Sequence, residues 1–216
     1  MSRSGRRMTL EQFIGFSVFA FVACVTPGPN NMLLTAVGGS RGIRRGLPTL
    51  MGVAFGFALM LFLVAIGVGR TVLALEHFSG TVRWVGAAFL IWLAWNIASA
   101  PVANAGASDN AVPRRRDGTG LVGAAFFQWV NPKAWLVCVG AISTYLSPGE
   151  DLVVQATAFA MVFLVAGFAG SFPWLAFGSF VRRALRDPGH ARAFNIAMAV
   201  LLVMAMIPAV LPELLA

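Results

Sequence analysis

Thr26-Pro27-Gly28-Pro29-Asn30-Asn31 puts two prolines, a glycine and two asparagines inside an apolar stretch of the chain. Each proline removes a backbone donor and clashes with the preceding turn, at ~3 kcal/mol in a helix interior. Non-helical backbone at membrane depth persists only where protein or a watery cavity satisfies its polar groups. A packing kink needs one proline, so the cluster favours a binding site. A helix ending at Val25 presents carbonyls with partial negative charge to an ammonium. A helix leaving from Asn30 presents free N–H groups to a carboxylate. The break therefore suits a zwitterion, and Asn30 and Asn31 add donors and acceptors without net charge.

Gln128-Trp129-Val130-Asn131-Pro132-Lys133 repeats the theme. Asn131 is placed to cap, and Pro132 to open, a second half-helix. Lys133 is the only lysine in the sequence and lies ~18 Å along a helix from Leu121, close to mid-bilayer. Its charge costs ~3 kcal/mol there unless paired or hydrated. Two readings compete: the ammonium helps hold a substrate carboxylate, or the side chain snorkels or binds backbone carbonyls at the first break.

Other chemistries are poorly represented. Glu11, Glu76, Glu150, Asp151, Asp187 and Glu213 all fall near the ends of apolar runs or between them, so no carboxylate proton relay is visible. His77 and His190 lie between the runs, and neither H-E-x-x-H nor G-x-S-x-G occurs. No catalytic residue, cofactor or metal is expected. Cys24 and Cys138 sit singly in apolar runs and read as free packing residues.

The elements that position these residues follow from composition. Of 216 residues, 58% are hydrophobic and 11% charged, with mean hydropathy +0.80. A soluble domain so composed would expose large apolar patches and aggregate. The length accommodates about six spans of ~20 residues. The net charge is +8, but the arginines sit in short clusters between apolar runs, which excludes a nucleic-acid surface and fits topology-setting loops beside anionic lipid.

The expected spans are Leu10 to Val25 resuming after the break to Val37, Leu47 to Gly69, Trp84 to Ala100, Leu121 to Leu146 broken at Asn131-Pro132, Leu152 to Val181, and Ala193 to Leu211. Connections are expected at Arg41 to Arg45, Arg70 to Arg83, Ser147 to Asp151 and Arg182 to Arg192. Residues 1–7 form a polar N-terminal extension, with Met8 a candidate start. Residues 8–101 and 102–120 form a first three-helix repeat and a cytoplasmic linker, and 121–216 a second repeat. Three spans per half is an odd number, so the halves enter the membrane in opposite senses. The expected fold is an all-α integral membrane protein, six transmembrane helices as two inverted three-helix repeats, with broken helices at matching positions marking the site. Basic loops on one side set them in the cytoplasm. Arg3, Arg6 and Arg7 run against that orientation. Trp92, Trp95, Asn96, Tyr145 and Asn195 are weaker pathway candidates. Gly52-x-x-x-Gly56 is a close-packing signal, compatible with a homodimer but not specific for one.

On Thr26-Pro27-Gly28-Pro29-Asn30, the basic segment Arg41 to Arg45, Gly86-Ala87-Ala88 to Trp95, and Asn131-Pro132-Lys133, the chain resembles the LysE/RhtB family of amino-acid exporters along nearly its whole length from Met8. Trp84 to Pro101 and Phe127 to Tyr145 look most like that family's cysteine/O-acetylserine exporter branch. The resemblance implies a multi-pass inner-membrane secondary transporter driven by the proton gradient, exporting small zwitterionic amino acids or their derivatives. It also implies that Thr26, Pro27, Gly28, Pro29, Asn30, Asn131, Pro132 and Lys133 lie near the pathway. From the residues themselves, Asn31 and Gln128 join them as candidate substrate contacts. The alternative class is a channel or a membrane scaffold without alternating access.

Overall fold

The computed structural model describes residues 9–67, 78–99, 120–147, 151–184 and 187–204. Among them the chain is entirely helical: α1 Leu10–Val25, α2 Pro29–Ala65, α3 Phe78–Ala98, α4 Leu121–Val130, α5 Pro132–Tyr145, α6 Leu152–Ala184 and α7 Pro188–Met204. Most of the expected linker, the first eight residues and the last twelve lie outside the described residues.

Local chemistry fixes the helix ends. Thr9 caps α1 in a capping box: its hydroxyl accepts from the Gln12 N–H at 3.2 Å, and Gln12 Oε1 accepts from the Thr9 N–H at 3.0 Å. Asp151 Oδ1 accepts from the N–H groups of Val153 and Val154 and opens α6. Asp187, followed by Pro188, does the same for α7 through the His190 N–H at 3.1 Å. That signature starts α7 five residues before the expected Ala193, and α6 runs on to Ala184. The connection 182–192 is therefore shorter than the charges suggested. Likewise α3 begins at Phe78, ahead of the expected Trp84.

The expected loop at Arg41 to Arg45 is not a loop. Helical geometry holds from Pro29 to Ala65 except at Gly42, where φ is 77° and ψ 174°. One residue with left-handed φ, which glycine adopts without steric cost, reverses the chain. Val37 and Gly46 face each other across this corner. Pro48 consequently sits more than a turn inside the second limb rather than in its first turn.

Contacts along α6 set the directions of the bundle. Phe16 of α1 packs on Phe159 and Phe163 with ring centroids 4.3 and 5.6 Å apart. Cys24 and Val25 lie against Gly170, and Thr35 and Gly39 against Gly178. Thus α1 and residues 29–41 run parallel to α6 on the two sides of the break. Beyond Gly42 the order inverts: Gly46 meets Leu175, Ala54 meets Gly167, and Phe57 packs at a tilt on Phe163 with ring centroids 5.2 Å apart. These are backbone-close packings, because a Cβ added at Gly38 would collide with the Leu175 carbonyl and one at Gly178 with that of Thr35. Gly52 and Gly56 press in the same way on Leu121 and Ala125 of α4. The Gly52-x-x-x-Gly56 face is therefore used inside the chain.

The interior holds Leu33, Leu34, Leu50, Met60, Leu61, Phe127 and Phe159 almost completely buried. The outside is just as apolar: Leu10, Ile14, Val18 and Val22 on α1, and Val154, Met161, Val165 and Phe180 on α6, are exposed. Such an exterior suits lipid rather than water. Two apolar helical stretches among the described residues are long enough to cross a membrane: the limb of α2 beyond Gly42, and Leu152–Val181 of α6. The breaks leave α1, α4 and α5 as segments of 16, 10 and 14 residues, each shorter than a single crossing needs.

Candidate functional site

The first break opens where Thr26 turns extended, at φ −63° and ψ 138°, after its N–H has closed the last turn on the Val22 carbonyl at 3.0 Å. Pro27 and Gly28 carry the chain across, and Pro29 starts α2 with no side-chain cap on its first turn. The second break is a single residue wide. Asn131 leaves helical geometry at φ −89° and ψ 109°, its Oδ1 accepts from the Lys133 N–H at 3.1 Å, and Pro132 begins α5. Both cap and proline are where the sequence pattern set them.

The breaks meet. Asn30 and Gln128 exchange amide hydrogen bonds: Asn30 Nδ2 donates to Gln128 Oε1 at 2.9 Å, and Gln128 Nε2 to Asn30 Oδ1 at 3.1 Å. Asn131 Nδ2 adds a bond to Asn30 Oδ1 at 3.2 Å. Further along, Lys133 reaches the Thr26–Pro27 corner, and Tyr145 packs edge-on against Phe16 with centroids 5.2 Å apart. The order 30, 26, 16 against 128, 133, 145 makes the two broken helices antiparallel, crossing at their non-helical residues.

The carbonyl end of α1, expected to be open to an ammonium, is filled from within. Lys133 Nζ donates to the carbonyls of Thr26 at 3.0 Å and Pro27 at 3.3 Å. Asn31 Nδ2 donates to those of Cys24 and Thr26, both at 2.8 Å. Trp174 Nε1, from α6, takes that of Val25 at 3.0 Å. Four successive carbonyls, Cys24 to Pro27, thus have side-chain donors, as non-helical backbone at membrane depth requires. This is the carbonyl-bound arrangement that one reading of Lys133 expected.

A small cavity lies at the crossing, lined by Thr26, Gly28, Asn30, Asn31, Asn131 and Lys133, with Cys24, Phe57 and Ser171 closing it. The space open to the centre of a water-sized sphere is ≈ 20 Å³, room for about one water and far too little for an amino acid. As it stands the crossing has no room for cargo, although Thr26 and Pro27 at its edge are exposed. Asn31 is 2% exposed, and its Oδ1 is buried without a hydrogen-bond partner. Its orientation is fixed, because turning the amide would set oxygen against two carbonyls.

Of the expected site residues, Thr26, Gly28, Asn30, Asn31, Asn131 and Lys133 line the cavity. Gln128, completely buried, holds Asn30 from behind. Pro27 contributes its carbonyl, while Pro29 and Pro132 start the two half-helices. Trp92 and Trp95 are exposed and Tyr145 packs on aromatic rings, away from the cavity lining. Ser171 and Trp174 were not expected. The nearest sequence signal was Gly170-Ser171 with Pro173, a polar and helix-weakening group inside α6.

The chain matches the family model described as LysE type translocator over residues 21–209. It is 30% identical over 197 residues to the cysteine/O-acetylserine efflux proteins of Salmonella choleraesuis (strain SC-B67) and Salmonella typhimurium, covering 91% of this chain and 96% of each relative. It is 29% identical over 198 residues to the protein of that name from Escherichia coli O1:K1, with the same coverage. No solved structure matches.

Proposed function

We propose that this chain, which belongs to the LysE type translocator family, exports amino acids or small amino-acid derivatives from the cytoplasm across the inner membrane. Membership makes it a membrane transporter rather than an enzyme. Its similarity to cysteine/O-acetylserine efflux proteins over 91% of its length favours small polar zwitterions as cargo. In this reading the protein is a secondary transporter powered by the proton gradient, built as two inverted repeats. Alternating access consists of the two broken helices separating first toward one side and then toward the other.

The observation that carries the reading is the antiparallel crossing of two helices at their breaks, joined by Asn30, Gln128, Asn131 and Lys133. Few polar groups at mid-membrane have to move for the crossing to open, and they are uncharged apart from Lys133. Substrate enters between the Thr26-Pro27-Gly28-Pro29 corner and Asn131-Pro132. Its ammonium faces backbone carbonyls, and its carboxylate faces the uncapped start of α2 and the Lys133 ammonium. Asn30, Asn31 and Gln128 complete the polar lining.

Overexpressing the chain and measuring amino acids in the medium tests this. Selective accumulation of cysteine, O-acetylserine or another small amino acid is expected. An unchanged medium across all amino acids and their derivatives would remove the exporter reading.

A further inference from the structure

Lys133 is a primary ammonium on a flexible stem, and it occupies the position where the ammonium of a zwitterionic cargo would gain most. Its Nζ sits on the Thr26 and Pro27 carbonyls, 3.0 and 3.3 Å away, at the exposed end of the α1 dipole. The same Thr26 carbonyl is shared with Asn31 Nδ2. Asn31 Oδ1, a buried acceptor with no partner, belongs to the same cavity wall. Acceptors are in excess and the only net charge on the lining is Lys133. Gly28 gives the lysine its room: a Cβ there would stand 2.9 Å from Lys133 Cδ and 3.0 Å from Nζ.

We propose that the Thr26 and Pro27 carbonyls with Asn31 Oδ1 form a cation subsite for a primary ammonium, which Lys133 fills as a tethered stand-in until a substrate ammonium displaces it. Asn31 Oδ1 then accepts the hydrogen bond that the free ammonium has to spare. The displaced Lys133 turns to the substrate carboxylate, so one lysine serves the empty and the loaded state. An empty carrier thereby keeps its mid-membrane carbonyls satisfied, which in hydrocarbon they must be. The tether gives Lys133 a high effective concentration, so simple amines compete with it poorly. The identity of the cargo rests on the exporter reading, but the subsite itself does not.

The test is binding of methylammonium to purified full-length protein, read as a thermal shift in detergent, with sodium and tetramethylammonium chloride as controls. Lys133→Met removes the stand-in and should bind methylammonium roughly tenfold or more tightly than wild type. Tetramethylammonium, which has no N–H donor, should not bind. Lys133→Ala removes the stem beyond Cβ and should instead accept n-propylammonium. Should either variant be purified only as aggregate, the matching amine should restore a monodisperse peak. Equal affinity in wild type and variants, an equal response to tetramethylammonium, or no rescue would overturn the proposal. None of these readouts needs transport, so a protein that exports no amino acid yet gains methylammonium binding on Lys133→Met would sink the cargo and leave the subsite.

Discussion

The ammonium nitrogen of Lys133 lies 3.0 Å from the carbonyl oxygen of Thr26, a residue 107 positions earlier in the chain. This contact joins the second broken helix to the first at the point where neither is helical. A lysine at this depth is costly unless it is paired. A backbone corner built from two prolines leaves carbonyls that equally need a donor. Each defect answers the other.

Lys133→Gln keeps a donor for the carbonyls but removes the charge. Export should fall roughly tenfold or more, as loss of a charged hydrogen bond worth ~1.5–3 kcal/mol would give. The melting temperature in detergent should move little. Unchanged efflux from cells expressing the variant at wild-type level would take Lys133 out of substrate recognition.

Asn30 and Gln128 satisfy each other across the crossing. Asn30→Leu or Gln128→Leu alone strands a buried amide and should cost about 1–3 kcal/mol of stability. The double variant should lose less than the sum of the two, with a coupling of ~0.5 kcal/mol or more. Additive losses in denaturant titrations would show that the pair is not a unit.

Gly178→Ala places a methyl group into the backbone of Thr35, whereas a methyl at Gly140, inside α5, has open space. The first should destabilise by about 1–3 kcal/mol through overpacking, and the second should stabilise by ~0.5–1 kcal/mol through helix propensity. Thermal melts of the two purified variants give opposite signs if α2 and α6 pack as described.

Trp174→Phe keeps the ring volume in part but withdraws the Nε1 donor from the Val25 carbonyl. Stability should drop by about 1–3 kcal/mol for the stranded acceptor, and export should slow with it. A melting curve superimposable on wild type would show that the carbonyl finds another donor.

Much of this site was legible in the chain because prolines, glycines and caps act through local rules. Asn131 capping α5 ahead of Pro132, and α1 stopping at Val25, needed only short-range sterics. The corner at Gly42 was misread as a loop, because three arginines between apolar runs look like a connection. Arginine is a good helix former, however, and a single left-handed glycine is enough to turn the chain. The starts of α3 and α7 were set too late for a similar reason, since polar residues near an apolar run can still be helical. Ser171 and Trp174 went unseen because the inward face of α6 is decided by α1 and α2, which local pattern does not encode. The donors that fill the α1 carbonyl end were hidden likewise: the dipole is local, but Lys133 and Trp174 arrive from distant segments.

The cavity at the crossing, ≈ 20 Å³, is too small for cargo, so in this account cargo moves only when the broken helices part. Counterflow in proteoliposomes reads this directly, using labelled cysteine or O-acetylserine inside and unlabelled compound outside. Alternating access predicts that the outside compound accelerates loss of label, since a loaded carrier returns faster than an empty one. Loss of label at a rate indifferent to the outside compound would identify an open pore and contradict the account.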